Sequence, residues 1–103
     1  MHEYVIVWEF RIRPEVEAEF IEQYGPEGTW ARLFRQAEGY IRTELVRDVS
    51  DNRRFLTLDY WNSEEEFNKF RKLHSAEYER LDKKLQGLTE DERRLGAFDS
   101  GRG

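Results

Sequence analysis

The chain has 103 residues, no cysteine and a formal net charge of -5, so it suits one domain and excludes disulfides, thiolate nucleophiles and Cys-based metal sites. The acidic balance disfavours phosphate backbones and anionic lipid as partners. With no apolar run of membrane-spanning length and an acidic start, MHEY, that does not read as a signal peptide, the expected location is cytoplasmic. Aromatic residues make up 15% of the chain, a large apolar load for its size, and they must be hidden somewhere.

Tyr4 to Ile12 alternates as a strand, with Tyr4, Ile6, Trp8, Phe10 and Ile12 on one face and Val5, Val7, Glu9 and Arg11 on the other. Pro14 suits the first position of a helix whose early turns carry Glu15, Glu17 and Glu19, where the helix dipole favours negative charge. Gly25-Pro26-Glu27-Gly28 interrupts that helix, and Trp30, Leu33, Phe34 and Ala37 continue at helical spacing. Residues 40–49 and 53–61 read as two strands joined by the polar turn Ser50-Asp51-Asn52, an antiparallel hairpin.

Ser63, three residues before Glu66, has the spacing of a capping box. It opens a predicted long helix with Phe67, Phe70, His74, Tyr78, Leu81 and Leu85 along one stripe. Thr89 and Glu92 repeat the capping spacing, which predicts a turn or two of helix before a short strand over 95–99. Residues 1–99 are the expected domain and residues 100–103 a frayed tail. The order of elements predicts an α+β, ferredoxin-like split βαββαβ domain: a four-stranded antiparallel sheet with helices on one face. Large apolar residues fall on both faces of its strands, so a homodimer through the uncovered sheet face is expected.

The stretches YVIVWEFRIRPEVEAEFIEQYGPEGTWARLFRQAEGY and FLTLDYWNSEEEFNKFRKLHSAEY, with the closing LGAF, resemble the antibiotic biosynthesis monooxygenase family. The resemblance implies a dimeric α+β barrel with a cavity between sheet and helices in each subunit. It also implies oxygenation of a small or polycyclic aromatic without any cofactor. Heme-degrading relatives carry Asn on the first strand and Trp then His on the last long helix. Trp8, Phe70 and Asp82 or a neighbour stand at those positions here, and heme degradation is not expected.

His74 is the sharpest catalytic candidate, because an imidazole suits proton transfer from a phenol or quinol. Its structural alternative is a kink residue beside a cap at Ser75. Asp59 is the second candidate, with a structural ion pair to Arg11, Arg42 or Arg47 as the alternative. Trp8, Trp30, Tyr60, Trp61, Phe70 and Tyr78 are the expected walls of an aromatic substrate pocket, though each singly also suits a core. One internal His and one Asp make no metal site. An RNA-recognition module shares the element order but requires a Gly-aromatic core in the third strand, which RRFLTLDYW lacks. A non-catalytic ligand-binding dimer of the same fold remains the alternative to an enzyme.

Overall fold

A computed structural model describes residues 2–101. Its strands are β1 (Tyr4–Ile12), β2 (Tyr40–Arg47), β3 (Arg54–Trp61) and β4 (Thr89–Asp99). Its helices are α1 (Glu17–Tyr24), α2 (Thr29–Phe34), α3 (Glu64–Leu73) and α4 (Ser75–Leu85). Short 3-10 turns over Pro14–Val16 and Gln86–Leu88 lead into α1 and β4. All strand pairs are antiparallel in the order β2-β3-β1-β4, so β1 lies inside the sheet although it comes first in the chain. This is the ferredoxin-like α+β architecture that the element order predicts. No described helix is long and apolar enough to cross a membrane.

Alternation decides what each strand offers to the helices. Ile6, Phe10 and Ile12 of β1 join Phe55 and Trp61 of β3 in the core, against Phe20, Tyr24, Leu33, Phe34 and Phe70 of the helices. The centre of this layer is aromatic. Phe20 stacks on Tyr24 with ring centroids 4.5 Å apart and touches Phe10 and Phe55 at 5.6 and 5.1 Å. On the other face, Val5 and Val7 are surrounded by Leu58, Tyr60 and Phe98, within a border of charged residues such as Arg42 and Glu44.

Four expectations change. The long helix is two, hinged at His74, whose backbone leaves helical geometry at φ -118° and ψ 27°. Ser75 makes no cap; the amide of Tyr78 still bonds to the His74 carbonyl, so the ladder bends without being lost. The Thr89–Glu92 segment is strand and not helix, because β4 pairs with β1 from Thr89 to Asp99 and that ladder outweighs a local capping preference. A bulge in β4 between the partners of Val7 and Trp8 accommodates Gly96 at φ 151°, a backbone state that costs a side-chain-bearing residue strain. Ser100 is tied to Glu3 in both directions, amide to carbonyl at 2.9 Å and hydroxyl accepting from the Glu3 amide at 3.1 Å, so the frayed tail does not begin there. Residues 102 and 103 of that expected tail lie outside the described residues.

Ser63 behaves as the sequence predicts: its hydroxyl accepts from the Glu66 amide at 3.1 Å and starts α3. Phe20, fully buried among three rings, carries the larger energetic burden. Phe20→Ala is expected to cost about 3–5 kcal/mol in unfolding free energy by urea titration, against about 1 kcal/mol for Ser63→Ala.

Candidate functional site

Between the sheet and the helices α1, α2 and α4 lies a narrow cleft of about 450 Å³, counting its open mouth. Trp8, Phe10, Tyr24, Trp30, Phe34 and Tyr78 form the walls. Thr43, Thr57 and Asp59 form the floor, on the helix-facing side of β2 and β3. Asp82 of α4 and Glu92 of β4 are solvent-exposed and stand at the rim.

Asp59 reaches this position because β3 alternates: Phe55, Thr57, Asp59 and Trp61 turn toward the helices and are buried. The cross-strand partner of Asp59 is Thr43, whose hydroxyl donates to the carboxyl at 2.7 Å. The Tyr40 hydroxyl lies 2.7 Å from the same Thr43 oxygen, giving a series from the carboxyl outward to a half-buried phenol. A bulge at the start of β2 makes this possible, since it brings Tyr40 onto the face of Thr43 when strict alternation would separate them. Burial pushes the Asp59 carboxyl up from 3.8 to about 7, and the Thr43 hydroxyl bond offsets only part of that. The expected ion pair is not made. Arg11 binds Asp51, Arg42 binds Glu3 and Glu44, and Arg47 binds Glu17, all away from the cleft.

Burial also raises the phenols of Tyr24 and Tyr78, so both stay protonated donors at neutral pH. Trp30 is buried in the wall, and its indole N–H makes no hydrogen bond of good geometry but interacts with the Tyr24 hydroxyl. A donor satisfied only this weakly suits an acceptor atom on a ligand.

The cleft unites Asp59, Trp8, Trp30 and Tyr78 of the sequence-predicted site residues. It does not include His74, Tyr60, Trp61 or Phe70. His74 sits at the α3–α4 hinge, stacked on Phe70 at 5.1 Å, with Nδ1 2.6 Å from Glu77 Oε1. That bond holds the Glu77 carboxyl below its ordinary range. The imidazole opens onto a separate groove lined by Gln36, Glu66 and Lys69. Tyr60 follows Asp59 and therefore projects from the opposite face, where it donates to Glu44 at 2.9 Å. Trp61 and Phe70 are core residues, 0% and 1% exposed. Sequence reasoning missed Tyr24, Thr43, Thr57 and Glu92 as cleft residues. For Thr43, the hairpin register was the available signal, since pairing the two strands about their turn sets it opposite Asp59.

The buried acid makes stability depend on pH in an unusual direction. The folded chain keeps the Asp59 proton up to about pH 7, whereas the unfolded chain releases it near 3.8, so this group's contribution to stability falls as pH rises between those values. Asp59→Asn removes the effect. The variant is expected to be more stable than the parent at pH 8, by at most roughly 4 kcal/mol, with the difference fading toward pH 4 in paired denaturant titrations.

The family model described as antibiotic biosynthesis monooxygenase matches residues 3–84. No curated protein matches the chain by sequence. Among solved structures, the chain is similar to SnoaB, a cofactor-independent oxygenase from Streptomyces nogalater, at TM-score 0.70 and 18% identity, over 100% of this chain and 97% of that one. It is also similar to a candidate antibiotic biosynthesis monooxygenase from Bordetella bronchiseptica, at TM-score 0.74 and 19% identity, over 95% and 96% of the two chains. A third, from Deinococcus radiodurans and described in the same words, gives TM-score 0.74 and 17% identity over 97% and 94%. At these identities the structural likeness establishes the fold, and the family match spans most of the sequence. Sheet order, cleft and family match agree: the chain belongs to the antibiotic biosynthesis monooxygenase family.

Proposed function

We propose that this chain is a cofactor-independent monooxygenase of a phenol- or quinol-type aromatic, with Asp59 as the base. The observation that carries this reading is a carboxyl nine-tenths buried at the floor of an aromatic cleft, held by a single hydroxyl and raised to about 7. Such a group is half ionised near neutral pH and accepts a proton more readily than an exposed aspartate. The likeness to SnoaB adds support of a general kind.

The chemistry asks little more of the protein. For an anthrone-type ring, Asp59 takes a proton from the ring CH₂, and the resulting carbanion passes one electron to dioxygen. The radical pair joins through a C–O bond, and the peroxide takes a proton back from Asp59. Loss of water then leaves a ring carbonyl. One oxygen atom ends in the product and one in water, and the substrate supplies all four electrons. The wall aromatics hold a flat ring and keep bulk water from the carbanion, while the weakly satisfied Trp30 N–H suits a phenolic or quinone oxygen. His74 is a hinge residue in this reading and not the base.

Oxygen uptake with anthrone- or hydroquinone-type substrates tests the proposal. Turnover is expected, with kcat/KM rising as pH approaches 7 and levelling above it as Asp59 ionises. Asp59→Asn should reduce the rate by about 10²–10⁴-fold, with His74→Ala staying within about twofold of the parent. Loss of activity in His74→Ala with Asp59→Asn unaffected would reverse the assignment of the base. No uptake with any such substrate favours a ligand-binding protein of the same fold.

We propose further that two copies pair through the open sheet face. Phe98, the cross-strand partner of Val5, is 52% exposed there, Val46 of β2, opposite Leu56 on the same face, is 45% exposed, and covering such apolar area is favourable at about 25 cal/mol per Å². Sedimentation at micromolar concentration should give a dimer mass, and Phe98→Glu should shift it to the monomer. A parent chain that sediments as a monomer removes this part of the reading.

A further inference from the structure

What distinguishes the carboxylates of the cleft is their convergence on one aromatic-walled space. Several acids elsewhere meet cations: Glu9 is shared by Arg54 and Arg93, Asp48 binds Arg54, and Glu17 binds Arg47. Asp59, Asp82 and Glu92 make no ion pair among the described residues, although all three line one cleft. Among the described residues no Lys, Arg or His lines it. Arg94, opposite Trp8 in the β1–β4 register, is not among its walls, and Arg71 lies outside it on the Tyr78 ring.

The walls have the matching character. Two indoles and two phenol rings surround the space, and the negative face of an aromatic ring attracts a cation. Tyr78 already does so, with the Arg71 guanidinium 3.8 Å from its ring centre. Within the same walls Trp30 is 8% exposed, and its indole N–H, which has only the neighbouring Tyr24 hydroxyl to interact with and no hydrogen bond of good geometry, suits an oxygen on the ligand. Partial burial, with repulsion from Asp82 and Asp91 adding to it, raises the Glu92 carboxyl.

We infer that the cleft selects aromatic ligands carrying a protonated amine, the ring placed within the aromatic walls and the ammonium at the rim beside Asp82 and Glu92. The inference rests on the proposed substrate-binding role of the cleft and adds its charge preference. Three phenols of nearly equal size isolate that preference: tyramine, with an ammonium; tyrosol, with a hydroxyl; and 3-(4-hydroxyphenyl)propionate, with a carboxylate. Binding is read from the indole N–H signals of Trp8 and Trp30 in heteronuclear NMR titrations at pH 7.

Tyramine is expected to bind at least about fivefold more tightly than tyrosol, and the carboxylate most weakly. The tyramine advantage should fall on raising NaCl from about 20 to about 300 mM. In the double variant Asp82→Asn, Glu92→Gln, whose two sites are exposed, it should shrink below about twofold while tyrosol affinity holds. Equal or tighter binding of tyrosol or the carboxylate, an advantage untouched by salt or by the double variant, or no binding by any of the three overturns the inference. Oxygen consumption does not enter the readout. A chain that binds tyramine selectively and never turns over keeps this inference and loses the oxygenase reading. A chain that oxidises neutral quinols without charge preference does the reverse.

Discussion

A carboxyl group held out of water by an aromatic layer is the constraint on which the site depends. Asp59 has one hydrogen bond, from Thr43, and no counterion, so the folded chain accepts the cost of desolvating an acid. A hydrophobic side chain at that position would serve packing better. In the proposed reaction that cost has a use, since the burial that destabilises the anion also brings its ionisation near neutral pH.

The two faces of the sheet differ in what they pack against. The helix-facing side builds a core around Phe20 and Trp61 and leaves a cleft where Thr43, Thr57 and Asp59 interrupt the hydrocarbon. The opposite side centres on Val5 and Val7, themselves buried, with the more exposed Phe98 beside them and a charged border around. Because the side-chain period is two, neighbouring residues belong to different sites: Asp59 to the cleft, Tyr60 to the open face.

The hinge at His74 separates two helical jobs. α3 packs Phe70 against Trp61 and Phe34, while α4 brings Tyr78 and Asp82 over the cleft. The imidazole is bonded to Glu77 and stacked on Phe70, an arrangement that accounts for the residue as part of the bend. Its groove and the cleft share no lining residue.

Alternation and turn chemistry in the chain determined the four strands, the hairpin, the Ser63 cap and the presence of two apolar sheet faces, since each is a local property of period and spacing. They also marked Trp8, Trp30, Tyr78 and Asp59 as residues with chemistry to spare. Only tertiary structure decided which residues meet. The β2 bulge that turns Tyr40 toward Thr43, the extension of β4 along β1 in place of a capped turn, and the hinge that takes His74 away from Asp59 all arise from pairing and packing between distant segments. No periodicity within one element records them, because burial and charge environment belong to the assembled layers and not to any single stretch of chain.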